Sequence, residues 1–332
     1  MTQTDSDANS DIVWFDQISK NDVAVVGGKG ANLGEMTQAG IPVPGGFVVA
    51  TSAYRRFIEQ AGLDTKLGDL LGDLDVSDTA KLTAISDEVR RSMLTASMPD
   101  DISSAIAESY SSLGGGLVAV RSSATAEDLK EASFAGQQAT YLNVEGETDV
   151  VEAVQLCWAS LFEGLAIFYR QQHGFDHLSV DLAVPVQKMV QSETSGVMFT
   201  IDPITGDLAR VMIEAVWGLG EAAVSGMVTP DSYIVSKEPL AVLKSSTIPQ
   251  HEQLVYSPDE TDEAGEHNTW QPVPAAQHEQ PKLTTEQVLE LTALGLRLET
   301  HYGAPQDIEW AWAEGQFQVL QTRPVTGVAS AG

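Results

Sequence analysis

The stretch that decides the fold is DIEWAWAEGQFQVLQTRP, residues 307–324. Polar and apolar side chains alternate along both halves of it, and the halves meet around Gly315. Alternation with a period of two is typical of strands with one buried face, and a short Gly-containing break between two such runs indicates a hairpin. The sequence therefore predicts two antiparallel strands that turn at Gly315.

Two pairings of these strands are open, and they differ in loop length. A two-residue loop pairs Trp310 with Val319, and a three-residue loop over 314–316 shifts the pairing by one residue. We prefer the longer loop, because only its pairing separates polar from apolar side chains on the two faces. Its polar face carries two cross-strand pairs, Asp307 with Arg323 and Glu309 with Gln321. Its apolar face carries Ile308, Trp310, Leu320 and Thr322.

The polar face of this hairpin suits the binding of a cation and a phosphoryl group side by side. A carboxylate beside an amide oxygen, here Glu309 and Gln321, is a ligand set that hard cations such as Mg²⁺ prefer. The adjacent Arg323 offers the forked donors that hold a phosphoryl group. The alternative is a solvent-facing side of a hairpin with an Asp–Arg pair across the strands.

A second informative stretch is VAVRSSATAEDLKEASFAGQQ, residues 118–138, in which Arg121 directly follows an apolar run. Its last part, ASFAGQQ (132–138), is a small-residue loop around Gly136 between two predicted strands, LVAVRS and ATYLNV. Such a loop can lay backbone N–H groups over phosphates. Gly-containing strand connections are also common without any ligand, so the loop alone is a weak signal.

A third stretch, VVGGKGANLGEM (25–36), is similar to a phosphate-binding loop but lacks the full Walker A motif. Lys29 is followed by Gly30 rather than Ser or Thr, and Val23 stands where a Walker A loop has its first glycine. The pattern predicts a strand, a glycine turn and a helix over 29–39. The first N–H groups of a helix are unpaired and attract anions, so this is either a generic anion site or a glycine turn with an exposed lysine.

Composition narrows the class of protein. The 332 residues include 47 acidic and 18 basic side chains, for a net charge of −29, which argues against nucleic-acid and anionic-membrane partners. Such an excess of carboxylates is typical of halophilic proteins, because at molar salt the Debye length is only about 3 Å. The N-terminal residues show no pattern of a signal sequence, and no apolar run is long enough to span a membrane. We expect a cytoplasmic protein.

Helical and strand patterns are mixed along the chain, which predicts an α+β fold. We assign an N-terminal lobe to 12–190 and a C-terminal lobe to 191–326, with an irregular polar excursion over 238–282. Residues 1–11 and 327–332 are expected to be flexible ends. The six histidines (173, 177, 251, 267, 278 and 301) are scattered, and no CxxC or HExxH motif occurs. A transition-metal centre is therefore not predicted.

Several segments together resemble a known family. VGGKGANLGEM, AVRSSATAEDLKEASFAGQQATYLNV, SGVMFTIDPITGD, WGLGEAAVSGMVTPDSY and DIEWAWAEGQFQVLQTRP stand in the order found in the N-terminal ATP-binding region of phosphoenolpyruvate synthases (pyruvate, water dikinases). Pyruvate, phosphate dikinase and rifampin phosphotransferase share this region. The resemblance covers about residues 12–326 and implies an ATP-grasp-like fold, with ATP between two lobes.

The resemblance also implies roles for particular residues. Lys29 and Arg121 would bind the ATP phosphates, with Thr140 nearby. The loop that contains Ser133, Gly136 and Gln137 would close over them. Gln187 and Met189 would meet the adenine. Glu309 and Gln321 would hold Mg²⁺, and Arg323 would stabilise the phosphoryl group in transfer.

One departure from the family pattern affects the expected function. In the family, the phosphoryl group passes to a histidine in a loop that reads like GG-x-T-x-H-A-A, on a swivelling domain, and then to substrate on a further domain. Neither that loop nor a substrate domain occurs in these 332 residues. We expect an ATP-dependent phosphotransferase part whose partner domains lie elsewhere, and pyruvate as the final acceptor. The alternatives are the equivalent part of a rifampin phosphotransferase and a non-catalytic nucleotide-binding module.

Overall fold

The computed structural model describes residues 10–72, 74–125, 139–224, 226–259 and 267–325. Helices and strands are mixed throughout, so the predicted α+β class is confirmed. The chain divides into two compact units. The first comprises residues 1–35 and 45–189, and the second comprises residues 36–44 and 190–332. The short segment 36–44, which the sequence analysis placed in the N-terminal lobe, therefore groups with the second unit.

The first unit contains an antiparallel sheet in the order β1-β2-β6-β3-β5, with β4 paired to β6. Its strands are β1 (Ile12–Trp14), β2 (Gly46–Val49), β3 (Val118–Arg121), β4 (Ser123–Ala124), β5 (Thr140–Val144) and β6 (Leu182–Lys188). The central strand β6 is buried on both faces up to Gln187. The sheet therefore carries the residues around Arg121 and Gln187 on neighbouring strands.

Among the residues of the first unit that the structure describes, seven α-helices begin. They are α1 (Val23–Gln38), α2 (Thr51–Gln60), α3 (Leu63–Leu71), α4 (Thr79–Thr95), α5 (Asp100–Ser112), α6 (Glu147–Ser160) and α7 (Gly164–Gln172). The helix predicted over about 147–172 is thus two helices with a break between them. Helix α6 packs against β3, β5 and β6. The core centres on Trp158, whose ring lies 5.9 Å from that of Tyr54 and 5.1 Å from that of Phe57.

Helix α6 also carries the lone cysteine of the sequence, Cys157, which is fully buried. Burial raises the pKa of its thiol, because the thiolate would lose its hydration. The stretch from Glu147 to Gln172 is long and apolar enough to cross a membrane, but 61% of its 18-residue apolar window is buried inside the protein. Its apolar residues thus belong largely to the protein core.

The second unit contains a second antiparallel sheet, in the order β10-β9-β8-β7-β13-β14. Its strands are β7 (Thr194–Phe199), β8 (Arg210–Trp217), β9 (Asp231–Ser236), β10 (Ala241–Ser246), β13 (Gln306–Ala313) and β14 (Gln316–Pro324). A short helix, α8 (Glu221–Val224), follows β8, and the long helix α9 (Thr285–Tyr302) precedes β13.

Helix α9 covers one face of this sheet. It begins with the predicted capping box of Thr284 and Gln287 and ends at Gly303, which has a left-handed φ of 69°. Gly295 lies so close to β7 that an added Cβ atom would be 2.5 Å from the Met198 Cε atom. The face of Met198 is therefore the one that packs on α9, and the side chains of alternate residues point to the opposite face.

The described part of the polar excursion predicted over 238–282 is not irregular. It contains β10 and a separate two-stranded sheet of β11 (Glu252–Tyr256) and β12 (Asn268–Pro272). Most of these side chains are exposed, so the strands lack the apolar alternation that marks a buried face. Only isolated residues such as Leu254 and Val273 are buried. A strand with two solvated faces gives almost no signal in the sequence.

Candidate functional site

The segment around Lys29 is a kinked helix rather than a strand followed by a helix. Residues 23–26 are helical, and the direction of the chain changes at Gly27, which has φ 68° and ψ 174°. The predicted strand at this place is therefore wrong. The short first turn forms because the Asp22 carbonyl accepts hydrogen bonds from the Val25 and Val26 N–H groups, at 2.8 and 3.0 Å.

Ser123, from the strand after Arg121, fits into this kink. Its hydroxyl accepts hydrogen bonds from the N–H groups of Lys29 (3.1 Å) and Gly30 (3.4 Å), and it donates one to the Val26 carbonyl (3.2 Å). A Cβ atom on Gly27 would lie 2.2 Å from the Ser123 Oγ atom. The helix N-terminus that the sequence offered as a generic anion site thus already gives two of its N–H groups to a serine.

The Lys29 side chain reaches the same strand. Its Nζ atom donates a hydrogen bond of 3.0 Å to the carbonyl of Ser122, the residue that follows Arg121. Arg121 is half-buried at the end of β3 and is paired with Thr140, which is exposed at the start of β5. The structure therefore brings Lys29, Arg121 and Thr140 together, although 92 residues separate the first two.

The residues expected near the adenine lie at the other end of β3. Gln187 pairs with Ala119 across the strands, and the Met189 N–H group donates to the Leu117 carbonyl at 2.9 Å. Gln187 is buried and Met189 is half-buried. The loop residues Ser133, Gly136 and Gln137 lie outside the part of the chain that the structure describes.

The hairpin of the second unit combines both pairings that the sequence left open. At its tip, Glu314 and Gly315 form a two-residue turn with φ values of 52° and 76°, and Trp310 pairs with Val319. A bulge follows, so that Leu320 has no partner in the strand pairing. Beyond it the pairs are those of the longer loop, namely Glu309 with Gln321, Ile308 with Thr322 and Asp307 with Arg323.

The bulge explains why alternation failed to fix the loop length. One extra residue reverses which residues of β14 face the core. Val319 is buried on the α9 face, yet Gln321 lies on the opposite, polar face only two positions later. The expected three-residue loop is therefore wrong, while the expected polar face is correct. Leu320, expected on the apolar face, is the half-buried bulge residue.

The polar face has a defined electrostatic arrangement. The Arg323 Nε atom donates a hydrogen bond to an Asp307 Oδ atom at 2.8 Å, with the arginine side chain 65% exposed and the aspartate side chain 13% exposed. Burial raises the pKa of Asp307, and the nearby Arg323 opposes that shift only in part. Arg323 is thus oriented by a carboxylate while its outer face remains open to solvent.

One further carboxylate lies on this face, and local sequence patterns do not predict its position. Glu309 pairs with Val197 of β7, and Val197 pairs with Glu214 of β8, so the two glutamates lie on the same face two strands apart. Burial raises the pKa of Glu214. The signal was present in RVMIEAVW, where Glu214 interrupts an apolar run. Its place on this face depends on pairing between distant strands, which no local pattern reveals.

The described candidate residues thus form two groups, one in each unit. The group around β3 offers a lysine and an arginine, which suit phosphates. The group on the β13–β14 hairpin offers carboxylate and amide oxygens, which suit a hard cation, and an exposed arginine. No cluster of three His, Cys, Asp or Glu side chains able to hold a metal occurs among the residues that the structure describes.

Comparison with known proteins identifies the class to which this fold and these side chains belong. The chain is a member of the family described as pyruvate phosphate dikinase, AMP/ATP-binding domain, whose model matches residues 23–331.

Curated relatives narrow this class. The chain is 48% identical over 329 residues to a probable phosphoenolpyruvate synthase of Methanocaldococcus jannaschii, covering 97% of this chain and 27% of the relative. It is 45% identical to the probable synthase of Methanothermobacter thermautotrophicus and 44% identical to the phosphoenolpyruvate synthase of Pyrococcus furiosus. Those matches cover 96% and 95% of this chain, and 46% and 44% of the relatives. The chain therefore spans less than half the length of each relative.

Proposed function

We propose that this chain is the ATP-binding, phosphoryl-donating part of a phosphoenolpyruvate synthase. The observation that carries the proposal is the contact of Lys29 with the strand of Arg121, which puts two cations at the end of β3 in a chain with only 18 basic residues. The family to which the chain belongs supports ATP as the ligand, since it is described as AMP/ATP-binding.

The direction of β3 supports one orientation of the nucleotide. Leu117, which bonds to Met189, and Arg121 are four residues apart, or about 13 Å along an extended strand. We place the adenine beside Met189 and the backbone near Gln187, and the phosphates beside Arg121, Lys29 and Thr140. The backbone edge after β6 then recognises the base, and the two cations neutralise the phosphates.

The hairpin of the second unit supplies the residues for transfer. Glu309 and Gln321 are direct cross-strand partners, so both side chains lie on one face at neighbouring positions, which fits a hard cation. Bound Mg²⁺ would neutralise charge on the phosphate oxygens. Arg323, held by Asp307, would orient the phosphoryl group and stabilise its developing charge. Glu214 is a further oxygen donor on this face.

This proposal includes an ATP-grasp-like fold, in which two lobes bind ATP. It also includes transfer of the phosphoryl group to a histidine on a swivelling domain, and from there to pyruvate. The relatives are longer than this chain by more than a factor of two, which leaves room for both further domains. The strongly negative charge supports a cytoplasm rich in salt as the place of action.

Calorimetric titration of Mg-ATP into the chain in concentrated KCl tests the nucleotide site. We expect saturable binding that Arg121→Ala weakens by roughly tenfold or more, because a charge-assisted contact to phosphate is lost. Arg91→Ala is the matched control, since Arg91 is an exposed arginine on α4 of the same unit, and it should bind like the parent. Equal affinity of all three proteins would overturn the phosphate site.

Transfer is tested separately with a histidine domain prepared from one of the relatives. Arg323→Ala should retain ATP binding but transfer the phosphoryl group at least about 100-fold more slowly, because the loss falls on the transition state. Arg210→Ala, a surface arginine at the start of β8 in the same unit, is the control. Undiminished transfer by Arg323→Ala would remove Arg323 from the mechanism.

A further inference from the structure

Two histidines in the segment 238–282 lie next to each other. His251 directly precedes β11, and His278 follows the short turn of helix at Ala275–Gln277. Their Nδ1 atoms are 3.1 Å apart, and the two rings are nearly perpendicular, with an interplanar angle of 85°. In the sequence they stand 27 residues apart, without a motif that links them.

The contacts of His278 fix which of its nitrogens carries a proton. Its Nε2 atom lies 2.8 Å from the Val273 carbonyl oxygen, which only accepts hydrogen bonds, so Nε2 is the donor. In the neutral ring the lone pair is then on Nδ1 and points toward the Nδ1 atom of His251. A single proton, on His251, lies between the two nitrogens.

Backbone hydrogen bonds hold both residues in place. The Val273 N–H group donates to the His251 carbonyl at 2.9 Å, and the Gln250 N–H group donates to the His278 carbonyl at 3.0 Å. Gln250 and Val273 are each 2% exposed. The two imidazoles therefore extend from anchored backbone, and the pair is organised before any ligand arrives.

We propose that His251 and His278 form a binding site for a divalent transition-metal cation of the class that prefers imidazole, such as Zn²⁺ or Cu²⁺. Two nitrogens bound to one Zn²⁺ ion at about 2.0–2.1 Å and a tetrahedral angle are roughly 3.3 Å apart, close to the separation of the two Nδ1 atoms. A metal-binding histidine commonly donates its other N–H to a backbone carbonyl, as His278 does.

Metal binding at this site requires no net release of a proton. The ion takes the place of the proton on the Nδ1 atom of His251, and that proton moves to the Nε2 atom of the same ring. His251 is exposed, so water can carry the proton between the two nitrogens. Both rings remain neutral, which is the form in which imidazole binds metals.

The surroundings allow an ion to enter and define its class. His251 lines an open pocket of about 420 Å³ together with Glu252 and Trp270. No third His, Cys, Asp or Glu among the residues that the structure describes completes a cluster, so water would complete the coordination of a bound ion. Two imidazoles and water favour Zn²⁺, Cu²⁺ or Ni²⁺ over Mg²⁺, which prefers oxygen ligands. The proposed site is therefore distinct from the Glu309–Gln321 face.

Calorimetric titration of Zn²⁺ into the full chain, with excess Mg²⁺ to occupy the acidic surface, tests the proposal. We expect one saturable step that His251→Ala and His278→Ala each weaken by roughly tenfold or more. His173→Ala, which removes another exposed histidine, should leave the step unchanged. No saturable step in the parent chain, or the same step in all four proteins, would overturn the site.

A spectroscopic measurement keeps the test independent of any effect of the variants on folding. Electron paramagnetic resonance of the parent chain with one equivalent of Cu²⁺ should show coupling to two imidazole nitrogens. Either alanine variant, with circular dichroism like that of the parent, should show coupling to fewer nitrogens. A spectrum without imidazole coupling in the parent chain would contradict the proposal.

Discussion

The two groups of candidate residues are assembled in opposite ways. The hairpin group lies within 18 consecutive residues, 307–324, and strand pairing alone puts Glu309 beside Gln321. The group around Lys29 depends on contacts across more than 90 residues, above all those of Ser122 and Ser123. A local site survives as long as one hairpin forms, whereas a long-range site needs the whole unit to be folded.

The same contrast decides what could be predicted from sequence. The turn at Gly315, the polar face of the hairpin and the capping box at Thr284 follow from local patterns, and the structure confirms them. The serine in the kink at Gly27 and the position of Glu214 do not, since they depend on which strands become neighbours. Arg121 was singled out by its place after an apolar run, but nothing local showed that Lys29 reaches the adjoining carbonyl.

The largest effect on stability should come from Gly27→Ala, which disrupts the packing around Lys29 in the long-range group. The new methyl group would meet the Ser123 hydroxyl and backbone, so we expect a loss of about 3 kcal/mol or more in the free energy of unfolding. Gly174→Ala is the matched control, because Gly174 has nearly the same φ (69° against 68°) but open space around it. It should cost only about 1–2 kcal/mol from the left-handed backbone.

Cys157 provides a readout that is specific to the first unit. Its buried thiol, with a raised pKa, should react with a thiol reagent only when α6 is exposed. Gly27→Ala should speed this reaction much more than Gly174→Ala. If both variants have equal labelling rates and urea midpoints, the close packing of Ser123 against Gly27 does not matter for stability.

A pair of deletions tests the local group with a smaller expected effect on stability. Deleting Leu320 removes the bulge but leaves Glu309 opposite Gln321. Deleting Gln321 also removes the bulge, but it puts Leu320 opposite Glu309. Both chains should fold with a loss of roughly 1–2 kcal/mol. Only the second should lose Mg²⁺-dependent ATP binding in calorimetry, and equal binding by both would show that Gln321 is not a ligand.

The smallest effect on stability is expected from Asp307→Asn. Because burial raises the pKa of Asp307, the folded chain holds this proton more tightly than the unfolded chain. The contribution of the residue to stability is therefore greatest below the usual carboxyl pKa and falls as pH rises through the raised value. Asparagine does not titrate, so the parent should lose stability relative to the variant between about pH 4 and pH 7.

Urea denaturation of both proteins at the two pH values measures this difference. Arg323 is largely solvent-exposed, so its ion pair with Asp307 offsets only about 1 kcal/mol or less at neutral pH. If the parent instead gains stability over the variant as pH rises, then the ion pair outweighs the burial of Asp307.

The bulge at Leu320 divides the pairing of the hairpin into two parts, so the length of the tip can change without changing the pairs on the other side of the bulge. Because the tip has its own regular pairing around Glu314 and Gly315, two extra residues inserted there would lengthen each arm by one and leave the partners below the bulge unchanged. The tip is exposed and makes its turn with two residues that have positive φ. We therefore expect that an epitope or fluorescent tag inserted at this position leaves the polar face unaltered, which makes the hairpin an attachment point for following the protein in a cell.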